Sequence, residues 1–221
     1  MAMTDGILLI DKPAGLTSFG VVARIRRVLS QQAGKKVKVG HTGTLDPFAT
    51  GLMVLVIGKE CKKAGEYTKL DKVYEATITL GKTSTTGDPE GEITGVDGAQ
   101  PSLEEVSGAL AKFTGDIQQR PPIFSAIKID GQRAYKLARD GKEVELPLRT
   151  ITVHSLELVE YSYPTLKIRT HVSSGTYIRS LAVDIGQALG TGAYCNELRR
   201  TQIREWNVAD AQTLADFGID S

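Results

Sequence analysis

Cysteine, histidine and tryptophan are all scarce in this chain: two, three and one among 221 residues. Cys61 and Cys195 are far apart, and neither stands in a metal-ligand spacing. A reduced compartment needs no disulfide, and with so few histidines a structural zinc site is not expected. No apolar run reaches the roughly 18 residues that a membrane span requires. The opening Met1-Ala2-Met3-Thr4-Asp5 has neither a basic leader nor an apolar signal core, so the expected location is the cytoplasm. Internal repeats, low-complexity tracts and flexible linkers are missing as well. What remains is ordinary globular composition, 41% hydrophobic and 24% charged, in a length that suits one large domain or two small ones.

Net charge is also nearly absent, at +1, but the signs are segregated. Arg24, Arg26, Arg27, Lys35, Lys36 and Lys38 form a basic cluster with no acid between them. A second group, Arg120, Lys128, Arg133, Lys136, Arg139 and Lys142, is diluted only by Asp130 and Asp140. Acids gather at Asp88, Glu90, Glu92, Asp97, Glu104 and Glu105. Such runs are either solvated faces or, if both basic segments meet one partner, a surface for a polyanion.

Periodicity outlines the elements. Gly6 to Ile10 reads as a buried strand that turns at Asp11-Lys12-Pro13-Ala14-Gly15. Thr17 or Ser18 can cap a helix whose apolar face is Val21, Val22, Ile25, Val28 and Leu29. Leu52 to Ile57 is continuously apolar and predicts a central strand. A short helix is expected over 60–68. Tyr74, Ala76, Ile78 and Leu80 share one face of a strand, and Thr83 to Gly98 reads as a polar surface loop. Ser102 and Glu105 form a capping box before Val106, Leu110 and Phe113.

Residues 119–148 leave the core. Phe124 to Ile129 is strand-like, Asp130-Gly131 a turn, and Ala134 to Arg139 a helix. Phe124 and Tyr135 among basic groups suit RNA backbone pairing plus stacking; the same pattern suits an ordinary surface hairpin. Two strands, Ile151 to Tyr161 and Thr165 to Val172, precede a helix carrying Ile178, Leu181, Ala182, Ile185 and Leu189. Tyr194 to Trp206 is strand-like, and Asp210 is placed to cap a last short helix. Strands outnumber crossover helices and many pair locally. That predicts an α+β fold with a largely antiparallel sheet, not a doubly wound parallel one.

The centre of the chain is Gly40-His41-Thr42-Gly43-Thr44-Leu45-Asp46-Pro47-Phe48-Ala49-Thr50-Gly51. Pro47 pushes Asp46 toward an extended conformation, and the glycines allow tight turns. One carboxylate flanked by Leu45 and Phe48 either closes a turn or is held for chemistry. Arg179, in the first turn of its helix, opposes the helix dipole and suits either a surface or a partner carboxylate.

These residues resemble a known family, the TruB-type tRNA pseudouridine synthases, in several motifs and in order. His41 to Gly51 resembles the central motif, and Asp11-Lys12-Pro13-Ala14-Gly15-Leu16-Thr17-Ser18 the N-terminal one. Lys72-Val73-Tyr74 is similar to the tyrosine motif, and Gly87-Asp88-Pro89-Glu90-Gly91 to the loop after it. Arg120 to Lys128 resembles an RNA-gripping thumb, and Gly175 to Leu181 and Leu198-Arg199-Arg200-Thr201 complete the set. The resemblance implies a pseudouridine synthase fold, a largely antiparallel mixed central sheet flanked by helices, in a single catalytic domain over 1–221 with the thumb at 119–148. It implies isomerisation of uridine 55 in the tRNA T loop.

By the same resemblance Asp46 is the catalytic carboxylate, Tyr74 lies against the target base and Arg179 pairs with Asp46. Tyr177 and Leu198 would line the uridine pocket, with His41 beside the flipped nucleotide. Lys12 and Pro13 would buttress the Asp46 loop at the substrate site, and Lys128 and Arg133 would meet the RNA. The base leaves N1, turns and rejoins through C5, so no atoms enter or leave and no cofactor or metal is expected. The first step of Asp46 is open: addition at C6, attack at C1′, or removal of a 2′ proton. The expected partner is the T-arm stem-loop of tRNA, engaged by a monomer with no membrane and no obligatory protein partner. Members of the family commonly carry a further small RNA-binding domain; with the chain ending at Ser221, that domain is expected to be absent. Two other readings share these residues: an RNA-folding module in which catalysis is secondary, and a synthase guided to another RNA by partner subunits.

Overall fold

The computed structural model describes residues 3–98, 100–123, 125, 128–129, 132–133 and 146–219, with 128–129 and 132–133 as backbone. The chain divides into two compact units, Met1–Glu75 with Leu198–Ser221, and Ala76–Glu197. In chain order the elements begin β1 (Gly6–Lys12), α1 (Ser18–Ala33), β2 (Val39–His41), β3 (Thr50–Ile57), α2 (Ala64–Thr68) and β4 (Lys72–Leu80). Next come β5 (Lys82–Ser84), β6 (Ile93–Gly95), α3 (Leu103–Ala111), β7 (Gly115–Gln119), β8 (Lys128–Ile129) and β9 (Gln132–Arg133). The chain closes with β10 (Arg149–Ser162), β11 (Thr165–Val172), α4 (Ile178–Ala188), β12 (Ala193–Ile203) and β13 (Trp206–Asn207).

The first unit is built around β3. Its apolar run is buried from Gly51 to Ile57, as a strand covered on both faces must be. β1 pairs antiparallel along one edge, from Gly6 opposite Ile57 to Lys12 opposite Gly51. The other edge takes β2 antiparallel and β12 parallel, with Arg199 opposite Thr50 and Arg200 opposite Gly51. β13 returns antiparallel on β12. α1 buries Val21, Val22, Ile25 and Leu29, while Arg24 and Arg27 face solvent. Thr17 caps it by accepting from the Gly20 N–H at 2.9 Å, and Gly34, at φ +62°, ends it in the left-handed region.

In the second unit the strand order is β12-β4-β11-β10-β7. β10 pairs antiparallel with β11 and with β7. Tyr74, Ala76, Ile78 and Leu80 are all buried along β4, as their alternation requires. α3 carries the capping box: the Glu105 N–H donates to Ser102 Oγ at 3.2 Å, and the Ser102 N–H to Glu105 at 2.6 Å. The elements form an α+β fold with a mixed, largely antiparallel sheet. No helix among the described residues is long and apolar enough to cross a membrane.

Three expectations change. Thr83 to Gly98 is not a plain surface loop: β5 and β6 pair as a hairpin, and Gly87 and Asp88 are buried. The helix expected over 60–68 is a 3₁₀ turn, Gly58–Lys63, followed by the short α2. Asp210 caps no turn: it lies inside the 3₁₀ turn Val208–Asp210, where Asn207 Oδ1 accepts from the Ala209 N–H at 2.9 Å, and the following turn, Ala215–Phe217, starts without a side-chain cap. β2 and β7 are strands of only three and five residues, too short for an alternation signal. Within 119–148, β8 and β9 pair with Lys128 opposite Arg133. The turn at 130–131 and the helix over 134–139 lie outside the described residues.

Candidate active site

Asp46 is half-buried, in a turn closed by the Ala49 N–H donating to its carbonyl at 3.1 Å. The loop that carries it is tied down at three places within its own unit. Ser18 Oγ accepts from the Leu45 N–H at 2.8 Å and donates to the Leu45 carbonyl at 2.9 Å. Lys12 is fully buried, and its ammonium donates to the carbonyls of Pro13 (2.8 Å), Leu16 (2.7 Å) and Pro47 (3.2 Å). Arg200, also buried, donates from Nη2 to the Gly43 carbonyl at 3.1 Å and from Nε to the Leu52 carbonyl at 2.7 Å. Leu45 and Ala49, at 3% and 0% exposure, seat the turn in the core. A loop whose backbone is held at this many points is preorganised: little backbone entropy remains to be lost on binding.

Lys12 therefore acts on the loop from behind. Gly15 joins it there, its N–H donating to the Pro47 carbonyl at 2.8 Å. His41 is half-buried at the end of β2, and its Nδ1 accepts from the Gly43 N–H at 3.4 Å. Burial, then the charge of Arg200, hold its pKa below the ordinary histidine value, so the ring is neutral at pH 7. Tyr74 (7% exposed) and Leu198 (8%) belong to the same unit, on β4 and β12. Lys72, two residues before Tyr74, is buried, with its ammonium donating to the carbonyls of Thr68 and Leu70. Burial and then Arg200 push its pKa down to about 8.

The second unit holds Tyr177, Arg179, Lys128 and Arg133. Arg179 lies in the first turn of α4, as its spacing predicts, and is buried. Its Nη1 donates to Asp88 Oδ2 at 3.0 Å and to the Thr86 carbonyl at 2.9 Å. The other Asp88 oxygen accepts from Thr86 Oγ1 at 2.5 Å and the Glu90 N–H at 3.0 Å. So Asp88 is no part of an acidic surface; it is the anion that offsets a guanidinium at the positive end of a helix. Tyr177, half-buried, precedes α4. Its N–H donates to Gln119 Oε1 at 2.8 Å, and its carbonyl accepts from Gln119 Nε2 at 3.0 Å.

Sequence reasoning passed over four supporting residues. Ser18 stands in the N-terminal motif and as a possible helix cap with no role at the Asp46 loop, and Gln119 ends a strand of only five residues. Asp88 and Arg200 sit inside quoted motifs but received no role. For Asp88 and Arg200 a signal was available: a charged residue within a glycine-rich or strand motif that has no obvious solvent face.

Comparison with known proteins bears on what this arrangement does. The sequence model of the TruB family pseudouridylate synthase N-terminal domain matches residues 26–178, and that of the tRNA pseudouridylate synthase B C-terminal domain matches 179–218. The tRNA pseudouridine synthase B of Opitutus terrae is 47% identical over 211 residues, 95% of this chain and 86% of the relative. That of Phocaeicola vulgatus is 45% identical over 96% of this chain and 91% of its own length. Among solved structures, one of a Cbf5–Nop10–Gar1 complex matches with a TM-score of 0.75 at 30% identity, over 98% of this chain and 54% of that one. A structure titled as an H/ACA RNP bound to a substrate RNA containing 2′-deoxyuridine gives 0.70 at 28% identity, over 96% and 51%. The chain thus spans about half the length of those solved chains. It belongs to the TruB family of pseudouridylate synthases. It is an isomerase that forms pseudouridine in tRNA.

Proposed function

We propose that this enzyme isomerises uridine 55 in the tRNA T loop, with Asp46 as the catalytic carboxylate acting on a flipped-out nucleotide. The observation that carries this reading is the triple tethering of the Asp46 loop by Ser18, Lys12 and Arg200. A surface turn with a structural role does not need two buried cations to hold it. Tyr74 is assigned to the target base, Tyr177 and Leu198 to the uridine pocket, and His41 to the neighbouring nucleotide. A neutral His41 adds no charge and offers one donor and one acceptor to RNA. Arg179 is assigned as the cation of the reaction, with Asp88 fixing the plane of its guanidinium.

Extruding a base costs a few kcal/mol. Stacking on Tyr74 offsets part of that, and phosphate contacts from Lys128, Arg133 and the exposed basic face of α1 offset more. The bond from C1′ to N1 breaks and one from C1′ to C5 forms, and the proton displaced from C5 passes to solvent while N1 gains one. Balance requires no co-reactant. The enzyme is proposed to act as a monomer in the cytoplasm, in one catalytic domain, without an obligatory protein partner.

The test is pseudouridine formation by wild type and Asp46→Asn on a T-arm stem-loop. Wild type is expected to convert it and the variant to be inert with its fold intact. Equal conversion by both, or none by wild type, overturns the proposal. The likeness to Cbf5 favours a second reading, a synthase aimed at another RNA through partner subunits. Mapping pseudouridines in total RNA with and without the protein separates the two: loss confined to T loops supports the first.

A further inference from the structure

We propose that Arg200 is a positioning residue for the reaction, acting as a staple that closes the two ends of the loop bearing Asp46. The inference rests on reading Asp46 as the catalytic group. Three observations carry it. First, the guanidinium spans the base of the loop. Nη2 reaches the Gly43 carbonyl at 3.1 Å and Nε the Leu52 carbonyl at 2.7 Å, so one rigid plane joins the points where the loop leaves and re-enters the fold. Second, the Arg200 backbone is fixed against the same loop. It sits opposite Gly51 in the parallel β12–β3 ladder, and a Cβ on Gly51 would lie 2.3 Å from the Arg200 carbonyl oxygen. The staple and the strand it springs from therefore move together.

Third, the arrangement is a poor way to stabilise a protein. Arg200 is 1% exposed, and its hydrogen bonds go to carbonyls, not to an acid. Lys72, another buried cation, stands close: a Cβ on Gly43 would lie 3.5 Å from Arg200 Nη1 and 3.6 Å from Lys72 Cε. The two charges oppose each other, and the pKa of Lys72 falls partly for that reason. An apolar side chain of similar volume would avoid both desolvation and repulsion. What it would lack is a planar fork that meets two carbonyls at once. Lysine lacks it too, since its ammonium is a point charge on a flexible stem. The cost is consistent with a residue whose service is geometric.

The experiment compares Arg200→Lys, Arg200→Met and Arg200→Ala with wild type and Asp46→Asn. Single-turnover and steady-state kinetics on a T-arm stem-loop are read beside thermal midpoints. Asp46→Asn tests the underlying reading: if it is as active as wild type, that reading fails irrespective of Arg200. With Asp46→Asn inert, folded Arg200→Lys is expected to lose kcat by about 10- to 100-fold, the scale of a small misplacement of a reacting group, with KM within about twofold. Millimolar ethylguanidinium is expected to restore part of the kcat of Arg200→Ala, and not that of Asp46→Asn. The proposal is overturned if folded Arg200→Lys or Arg200→Met turns over like wild type. It is also overturned if the loss lies in KM or thermal midpoint alone, with no guanidinium rescue. Should Arg200→Met and Arg200→Ala fail to fold, the kcat of Arg200→Lys decides.

Discussion

Arg179 and Asp88 form a buried ion pair, Nη1 to Oδ2 at 3.0 Å, with both side chains no more than 4% exposed. The pair lies within one unit, between the first turn of α4 and the loop joining β5 to β6. It explains how a cation persists where the helix dipole disfavours it. Asp88 spends its second oxygen on Thr86 Oγ1 and the Glu90 N–H, so the carboxylate is itself oriented.

Asp88→Asn keeps the volume and removes the charge. Arg179 then loses the Asp88 charge it is paired with, and about 3 kcal/mol of stability is expected to go, the usual cost of removing one partner. Pseudouridine formation is expected to fall at least 100-fold, because the guanidinium loses its fixed plane. Urea unfolding and a tritium-release assay on T-arm RNA measure the two effects. Unchanged values in both would show that the pair supports neither fold nor turnover.

Gln119 grips the Tyr177 backbone through both ends of its amide, at 2.8 and 3.0 Å. Gln119→Leu is near in size and leaves both groups without that partner, so about 2 kcal/mol of stability is expected to be lost. Since Tyr177 is assigned to the uridine pocket, KM for the stem-loop should rise several-fold with a smaller change in kcat. Initial rates over a range of RNA concentrations distinguish this from a rise in neither constant.

Gly51 stands at φ +104° with the Arg200 backbone against it. Gly51→Ala places a methyl group where a carbonyl oxygen already is, in a conformation that L-residues avoid. Strain and overpacking together are expected to cost about 2–4 kcal/mol. Gly15, at φ +83° with open space around it, is the control: alanine there meets no atom and costs only the backbone strain. Denaturation midpoints that are equal for the two variants would refute the close-approach argument.

Lys72 makes stability depend on alkaline pH. Its pKa is about 8 in the folded protein against an ordinary 10.5, lowered first by burial and then by Arg200. Between those values the unfolded chain binds more protons than the folded one, so stability rises with pH across this window, by about 3 kcal/mol in all. Below pH 8 the folded protein carries the cost of a buried ammonium in full. Lys72→Met is expected to remove the rise from pH 8 to 10, measured as urea midpoints at half-unit steps. A rise of the same size in the variant would assign it to another group.

Much of this fold was legible before any coordinates. A run such as Leu52 to Ile57 has no polar face to show water, so it had to be a central strand. Val21 to Leu29 could bury its apolar side only as a helix. Ser102 with Glu105 marked a helix start because capping is a local event within four residues. Thr83 to Gly98 was misread for the opposite reason: its order comes from Asp88 meeting Arg179, 91 residues away, and no local pattern carries that. β2 and β7 were missed because short strands are defined by the neighbours they pair with.

The candidate site divides in the same way. Sequence by itself nominated the groups proposed to carry the chemistry: Asp46 between Leu45 and Pro47, Tyr74 near the head of a strand, Arg179 at a helix start. These are set by residue type, spacing and motif order, all written along the chain. Tertiary structure alone decided what holds them. Ser18, Lys12 and Arg200 converge on one loop from positions 34 residues before Asp46 to 154 after it, and Gln119 and Asp88 reach Tyr177 and Arg179 across 58 and 91 residues. A hydrogen bond is made at about 3 Å whatever the separation along the chain, so only the folded backbone could reveal those partners.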